Sequence, residues 1–275
     1  MTQQILEIQN KENNKKKKNL LDLYLICRNF MVEMWTFFMI ELKHQASLAL
    51  VTALFSMVIP LGILLMISMM PIMITKNIAI MYISGNFITT ISNLCISTLA
   101  QILIGIRMRN GFEHLATMPI YRGAPLLGTL FSSAISTVPA LIIMPVIGML
   151  LFGTTFYISV WLILVILLSI IIMTGIGAVI GTCSENYNKS NTISMIMMFF
   201  VMFGTPVYYA MDSLPGVVRI FQRMLPFCYS LEAMRSLMVN PVLTSVVIRD
   251  IIILIGFMLL SMGLTLKFFT WKQRS

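Results

Sequence analysis

The longest uncharged stretch of the chain begins at Gly123, ends at Ser184 and reads GAPLLGTLFSSAISTVPALIIMPVIGMLLFGTTFYISVWLILVILLSIIIMTGIGAVIGTCS. It contains no Asp, Glu, Lys, Arg or His. Because roughly 20 apolar residues in a helix cross a bilayer core about 30 Å thick, the stretch is long enough for two membrane spans. The small and polar residues Gly153-Thr154-Thr155 lie near its middle. We predict that the chain folds back there to make spans three and four.

Four more spans are predicted in the apolar runs on either side of this stretch. Spans one and two cover about 47–70 and 80–104. Span five lies between Lys189 and Asp212. Span six covers 251–266, extended by its flanks, and only this span is marginal in length. The sequence therefore predicts an all-α integral membrane protein with six transmembrane helices.

The composition of the 275-residue chain supports a membrane location. Its residues are 58% apolar and only 11% charged, which is more apolar than a typical soluble domain. The net charge of +9 comes from Lys and Arg in short segments between the apolar runs, and these residues do not form a basic stripe on a polar surface. This pattern argues against a nucleic-acid-binding protein and favours charges that orient a membrane protein.

The distribution of Lys and Arg predicts which ends of the spans face the cytoplasm, because short cytoplasmic loops are enriched in these residues. If both termini are cytoplasmic, 14 of the 19 Lys and Arg residues lie inside. The outer side then holds Lys76, Arg219, Arg223, Arg235 and Arg249. We predict a multi-pass protein of the cell membrane with cytoplasmic N- and C-termini. A cleavable signal peptide is not expected, since the first strongly apolar run begins only near Ser47.

The region before the first span divides into two parts. Residues 1–19 form a polar, basic tail with four consecutive lysines, Lys15 to Lys18. Residues 20–45 carry charges too frequent for a span, which predicts an amphipathic helix on the inner membrane surface. The lysines are expected to contact anionic lipid, and a nucleic-acid role is the less favoured alternative. Residues 46–275 form the six-span transmembrane domain.

The sequence contains no phosphate-binding motif GxxxxGK(S/T), so we expect neither an ATP site of this type nor a bound cofactor in the chain. Any ATP and Mg²⁺ would be held by a partner subunit. The nearest glycine-rich stretch, from Gly175 to Gly181, lies inside span four, where small residues let helices pack closely. His44 and His114 lie far apart and belong to no metal-binding or hydrolytic motif.

Sulfur-containing side chains are abundant but scattered. The cysteines lack any CxxC spacing and lie mostly in apolar surroundings, so we interpret them as packing thiols; they are Cys27, Cys95, Cys183 and Cys228. The 25 methionines include a cluster at Met195, Met197, Met198 and Met202. Copper passage through thioethers is an alternative. Flexible apolar packing is preferred, because no Cys or His ligand set accompanies the cluster.

Five of the six predicted spans contain no Asp, Glu, Lys, Arg or His, and Arg249-Asp250 lies only at the outer mouth of the sixth. Ion-coupled carriers commonly bind protons or ions with such residues. Their scarcity disfavours an ATP-independent secondary transporter, which would follow a proton gradient when ATP is depleted. It also disfavours a membrane-embedded enzyme, which would need catalytic His, Asp or Glu within the spans.

The loop between spans two and three predicts a short capped helix at the inner membrane face. It reads RMRNGFEHLATMPIYR and ends at Arg122. Asn110 is a favourable N-cap, Glu113 follows three residues later, and Pro119 ends the helix. Apolar residues on one side of this helix could fill a cleft on a soluble partner; they are Phe112, Leu115 and Met118.

A second irregular region follows span five. Prolines separate short amphipathic pieces there; they are Pro206, Pro215 and Pro226. Because exposed irregular backbone is not tolerated in lipid, we predict short helices at or in the outer leaflet that form an outer lid. Glu232 and Arg235, three residues apart on a helix, are expected to pair.

In this order around six spans, the two regions resemble those of the ABC-2 type transporter permeases, the membrane subunits of ATP-binding-cassette exporters for drugs, lipids and polysaccharides. The inner stretch GFEHLATMPIYR at 111–122 is similar to the family's Gly-x-Glu-x-Leu-x-x-x-Pro-x-x-Arg motif. The outer stretch LPFCYSLEAMR at 225–235 is similar to Asn-Pro-Leu-Thr-Tyr-x-x-Glu-x-x-Arg. It departs from that motif in having Leu225 for Asn and Phe227-Cys228 for Leu-Thr. The resemblance extends from about residue 20 to the C-terminus.

The resemblance implies roles for these regions. Residues 20–45 would be the connecting helix, and the inner loop would be the coupling helix that contacts a separate nucleotide-binding subunit. The residues it assigns to ATPase coupling are Gly111, Phe112, Glu113, His114, Leu115, Met118, Pro119 and Arg122. The residues it assigns to an outer re-entrant gate are Pro206, Tyr208, Tyr209, Leu214, Pro215, Pro226, Tyr229, Glu232 and Arg235.

The function implied by the resemblance is that of a transport subunit and not of an enzyme. It would couple ATP hydrolysis by an ATP-binding-cassette ATPase subunit to efflux of a hydrophobic or amphipathic substrate, such as a drug or lipid. It would act as a homodimer or together with a second permease. Apolar and aromatic side chains near the predicted outer end suit such a substrate. Polysaccharide export is the alternative, because aromatic faces also stack on sugar rings.

Overall fold

The structure is a computed structural model that describes residues 25, 28–43, 51, 54, 57–69, 75–108, 117, 121, 123–209 and 216–268. Within these ranges, the regular secondary structure is entirely helical, which confirms the predicted all-α class for them. The helices are α1 (28–43), α2 (Met57–Ser68), α3 (Lys76–Met108), α4 (Gly123–Ser136), α5 (Val138–Phe152), α6 (Val160–Cys183), α7 (Tyr187–Gly204), α8 (Gly216–Arg223), α9 (Pro226–Val239) and α10 (Ser245–Phe268).

Among the described residues, four helical segments are long and apolar enough to cross a membrane. They are Lys76–Met108, Gly123–Phe152, Val160–Cys183 and Ser245–Thr265. These segments correspond to predicted spans two, three, four and six. The sixth span, predicted to be marginal, belongs to a helix of 24 residues. Length and composition therefore indicate a multi-pass membrane protein.

The predicted turn between spans three and four is confirmed. α5 ends at Gly153, whose φ of 59° and ψ of 24° lie in the left-handed region that favours glycine. Residues 154–159 have no regular structure. α6 begins after Ser159, whose hydroxyl oxygen accepts a hydrogen bond from the Leu162 N–H at 3.2 Å. The uncharged run is thus divided into two helical segments by a glycine and a capping serine.

Predicted spans one and five are not among the described helices that are long and apolar enough to cross a membrane. α2 covers only part of the predicted range 47–70, and some of the remainder lies outside the described residues. α7, the helix at predicted span five, ends at Gly204, before the irregular region predicted to follow that span, because Thr205 adopts an extended conformation before Pro206. The first two turns of α7 are rich in polar residues, so it is not among the four membrane-spanning candidates. The six-span topology stays a prediction.

α6 is the central helix of the bundle and packs against α3, α9 and α10. The side chains that these helices share are apolar and buried, as in the cluster of Ile91, Met173, Leu231 and Leu254. The outward faces are apolar as well. α7, for example, buries Ser190 and Ser194 and exposes Phe199 and Phe203. Buried polar side chains and exposed apolar side chains are expected where lipid, not water, surrounds the helices, since lipid tails are as apolar as the exposed side chains.

The glycine-rich stretch of α6 permits close helix packing, as predicted. A Cβ atom added at Gly177 would lie 2.7 Å from the carbonyl oxygen of Ile96 and 2.9 Å from that of Cys95. A Cβ atom added at Gly181 would lie 2.8 Å from the carbonyl oxygen of Ala100. The backbones of α6 and α3 therefore approach each other at positions that only glycine fits without a shift.

α3 contains one π turn, at Asn93–Ser97, within an otherwise α-helical segment. A π turn inserts one residue and displaces carbonyl groups from the regular hydrogen-bond ladder. Cys95 and Ile96, whose carbonyl oxygens face Gly177, both lie in this turn. α6 therefore approaches α3 closely at the π turn.

α1 covers 28–43 of the helix predicted at 20–45. It packs against the start of α4, where a Cβ atom at Gly128 would lie 2.8 Å from Phe37 Cβ and 2.9 Å from the carbonyl oxygen of Met34. Its location on the inner membrane surface and the domain divisions after residues 19 and 45 stay predictions.

Candidate gate region and coupling loop

The gate region comprises residues 205–209, α8 and α9, which follow α7 in the chain. It includes most of the residues predicted for the outer gate, while Leu214 and Pro215 lie outside the described residues. α9 begins at Pro226, whose missing N–H is no loss in a first helical turn. The region therefore consists of an irregular segment and two short helices, of which α9 packs against α3, α6 and α10.

Arg235 of α9 links residues 205–209 to α3. Its Nη2 donates hydrogen bonds to the carbonyl oxygens of Pro206, at 2.7 Å, and Val207, at 3.0 Å. Its Nε donates to Ser84 Oγ of α3 at 3.2 Å. The planar guanidinium offers several donors in a fixed geometry, which suits three acceptors from two different segments. Arg235 thus holds three parts of the chain together.

The backbone of residues 205–209 lies directly on α3. A Cβ atom at Gly85 would collide with the carbonyl oxygen of Val207, so only glycine allows this approach. The neighbouring Asn86 is buried; its Oδ1 accepts a hydrogen bond from the Tyr208 hydroxyl at 3.1 Å, and its Nδ2 donates to the Tyr82 carbonyl oxygen at 3.0 Å. A buried amide needs such partners. Asn86 therefore fixes Tyr208 against α3.

Substituting Tyr208→Phe is expected to destabilise the protein by about 1 kcal/mol, because Asn86 Oδ1 loses its donor in a buried setting. The measurement is the thermal unfolding midpoint in detergent. Tyr157→Phe is the matched control, because the side chain of Tyr157 is 55% exposed. Equal effects of the two substitutions would contradict the assigned role of the Tyr208 hydroxyl.

The other two predicted tyrosines also make hydrogen bonds within the gate region. The Tyr209 hydroxyl donates to the carbonyl oxygen of Phe203 at 3.1 Å and accepts from Gln222 Nε2 at 2.7 Å. The Tyr229 hydroxyl donates to the carbonyl oxygen of Arg223 at 2.7 Å. Tyr209 therefore joins the end of α7 to α8, and Tyr229 joins α9 to α8.

The predicted pairing of Glu232 with Arg235 is wrong. Glu232 instead faces Arg249 of α10, with 3.5 Å between Oε2 and Nη2, and Arg249 also binds Asp250 Oδ1 at 2.8 Å. Arg235 instead binds the carbonyl oxygens of Pro206 and Val207, which lie beyond the end of α7 and so outside any helical hydrogen-bond ladder. The Glu232–Arg249 pair is about half exposed, and exposed pairs contribute roughly 0–1 kcal/mol.

The coupling loop connects α3 to α4, and all eight residues predicted to couple to an ATPase lie outside the described residues. The structure describes Thr117, which is helical and exposed, and Tyr121 near the end of the loop. The Tyr121 N–H donates to Glu33 Oε2 of α1 at 2.8 Å, and its ring contacts Phe30 with 6.0 Å between ring centroids. The end of the loop is therefore held by α1.

A comparison with known protein families gives a match that includes both the coupling loop and the gate region. The family described as ABC-2 type transporter matches residues 28–239, which is more than half of the chain. The protein belongs to the ABC-2 type transporter family. No curated protein matches the chain. The matched residues include α1, the coupling loop and the gate region through the end of α9.

Membership identifies this ABC-2 transporter as a transport permease, in agreement with the prediction that it is a transport subunit. Members of the family typically work with an ATPase subunit. The family and the apolar helices together indicate a multi-pass membrane protein.

Four residues that make contacts in the gate region of this ABC-2 transporter were not predicted from the sequence. They are Ser84, Gly85, Asn86 and Gln222. The signal for the first three is their position, because Ser-Gly-Asn interrupts a predicted apolar span. A polar amide in a span is costly unless it is hydrogen-bonded, so Asn86 alone could have indicated a partner. Glu33 was missed as well, because its contact with Tyr121 joins residues 88 positions apart.

Metal-ligating side chains are not grouped in the part of the ABC-2 transporter that the structure describes: no three His, Cys, Asp or Glu residues there could hold one ion. His44 and His114 lie outside it. Cys95 and Cys228 are buried, as expected for packing thiols, whereas Cys183 is exposed at the end of α6.

Proposed function

We propose that this chain is the permease subunit of an exporter in which a separate ATP-binding-cassette ATPase drives efflux of a hydrophobic or amphipathic molecule. The observation that carries the proposal is the family match over residues 28–239. ATP and Mg²⁺ would be bound by the partner subunit. The chain would lie in the cell membrane with six spans and cytoplasmic termini, and it would pair with a second copy or a second permease.

The course of α3 supports a mechanical link between the coupling loop and the gate region. Near its start, Ser84, Gly85 and Asn86 contact residues 205–209 or Arg235. The same helix ends at Met108, where the coupling loop begins. The hydrogen-bonded backbone of a helix makes it stiff along its axis, and α3 stays helical through its π turn. Movement of the loop on an ATPase would therefore reach the gate region through α3.

The outward face of α7 supports an apolar substrate. Phe199 and Phe203 are 60% and 67% exposed, and their rings stack with 6.3 Å between centroids. A second permease facing α7 would enclose these rings in a pathway suited to drug-like or lipid-like molecules. Polysaccharide export stays the alternative, and stimulation of ATPase activity by lipids, drugs or sugars would separate the two.

Co-purification tests the proposal. The full chain is isolated in mild detergent, and the proteins that it retains are assayed for ATP hydrolysis. We expect a roughly equimolar ATPase partner. The double substitution Phe112→Ala with Glu113→Ala should reduce partner retention by about tenfold or more, because truncated anchor residues at an interface commonly cost about 2 kcal/mol.

Phe203→Ala is the matched control, since Phe203 lies on α7 and not in the coupling loop. It should retain the partner at the wild-type level. A chain that purifies without any ATPase and catalyses ion-driven flux in vesicles would overturn the proposed function. Equal partner retention by wild type and the double variant would overturn the role of the coupling loop.

A further inference from the structure

We infer that Arg107 joins the end of α3 to the corner between α6 and α7, so that displacement of the coupling loop that follows α3 moves α3, α6 and α7 together. The consequence for transport rests on the proposed function, whereas the joint itself does not. Arg107 lies in the last turn of α3, directly before the loop. No sequence motif assigned it a role beyond membrane orientation.

Arg107 caps the carboxyl end of α6. Its Nη1 donates hydrogen bonds to the carbonyl oxygens of Thr182, at 3.0 Å, and Ser184, at 2.8 Å. The last carbonyl groups of a helix have no partner within the helix, and a positive charge is favourable at this end of the helix dipole. The Arg107 side chain is partly buried. It therefore makes a fixed contact between α3 and α6 and is not a free surface charge.

A second contact extends the joint to α7. A Cβ atom at Gly105, one half-turn before Arg107, would lie 2.5 Å from the hydroxyl of Tyr187. Tyr187 is the first residue of α7, and Asn186 caps that helix by accepting a hydrogen bond from the Lys189 N–H at 2.8 Å. The end of α3 thus contacts the end of one helix and the start of the next.

The ion pair that the structure describes at this corner, unlike the hydrogen bonds of Arg107, is local and does not connect helices. Lys189 Nζ binds Glu185 Oε1 at 2.9 Å, four residues away, and both side chains are exposed. The hydrogen bond and charge of Lys189 lower the pKa of the Glu185 carboxyl. Because exposed pairs of this kind contribute little, Lys189 provides a matched control at the same corner.

The test compares Arg107→Met, Arg107→Lys and Lys189→Met in the full chain with its co-purified ATPase. For Arg107→Met we expect normal partner retention and ATP hydrolysis, but export per ATP lower by about tenfold, a size typical of changes along a coupling network. Arg107→Lys should recover part of the loss, because an ammonium can still donate to one carbonyl oxygen. Lys189→Met should match wild type. Unchanged export per ATP in Arg107→Met would overturn the inference. The inference would also fail if Arg107→Met and Arg107→Lys lost folded protein, ATP hydrolysis and export to the same extent.

A distance measurement in the chain alone separates this inference from the proposed function. Spin labels are attached at Met108 and Asn188, both exposed, after the native cysteines have been replaced. Arg107→Met should broaden the distance distribution, and Lys189→Met should leave it unchanged. An unchanged distribution in Arg107→Met would overturn the joint. If wild type retains no ATPase, the proposed function fails, while this measurement still decides whether Arg107 holds α3 to the corner.

Discussion

Replacing Gly177 with leucine should leave little folded protein in the membrane. A Cβ atom at this position already lies 2.7 Å from the Ile96 carbonyl oxygen and 2.9 Å from that of Cys95. These atoms belong to the backbone of α3, which cannot move aside as a flexible side chain would. Overpacking of this kind typically costs 1–3 kcal/mol and occasionally more. With three further carbon atoms to place, we expect a loss of about 3 kcal/mol or more.

The measurement for Gly177→Leu is the yield of monodisperse protein after detergent extraction, followed by thermal unfolding of what remains. Gly263→Leu is the control, because a Cβ atom at Gly263 of α10 meets no heavy atom within 4 Å. This control should be close to neutral, since leucine is a better helix former than glycine. Similar yields from the two variants would contradict the close packing of α6 on α3.

Arg235→Met should release the gate region from α3. The substitution removes donors to the carbonyl oxygens of Pro206 and Val207 and to Ser84 Oγ. Each polar group left buried and unpaired costs about 1–3 kcal/mol, although relaxation toward water reduces the sum. We therefore expect a loss of about 3 kcal/mol in stability and faster proteolysis within the gate region. Unfolding midpoint and limited proteolysis measure these two effects.

Two variants control for the removal of charge at Arg235. Arg235→Lys keeps a positive charge but lacks the planar fork, so it should lose about half as much stability. Arg223→Met makes the same change at an exposed position on α8 and should have little effect. If Arg223→Met and Arg235→Met behave alike, the three hydrogen bonds of Arg235 do not hold the region.

The sequence predicted the membrane-spanning helices well because bilayer thickness sets the length of an uncharged run. The stretch from Gly123 to Ser184 could hold two spans only if it turned, and Gly153 was the residue suited to the turn. The glycines of α6 were also interpretable, since glycine within a helix costs stability unless another backbone comes close. In both cases, the signal lies in consecutive residues of the chain.

The gate region was predicted less well because its contacts join distant residues. The spacing of Glu232 and Arg235 satisfies the rule for pairs on one helix, but Arg235 binds backbone atoms of residues 206 and 207. A rule for local pairs does not include competing acceptors from another segment. Its contact with Ser84 spans 151 positions, which no periodicity could indicate. The end of α7 at Gly204 agrees with the irregular region predicted to follow span five, because Pro206 is a local signal for the end of a helix.

The π turn divides α3 into two angular registers. One inserted residue rotates everything that follows by about 100° relative to an unbroken α-helix. Asn86, which faces Tyr208, and Arg107, which faces α6, lie on opposite sides of this insertion. A helical wheel drawn through the whole of α3 would therefore place these two side chains in the wrong relation. A relative with one residue fewer between Asn93 and Ser97 would direct its coupling loop differently, even with every contacting residue preserved.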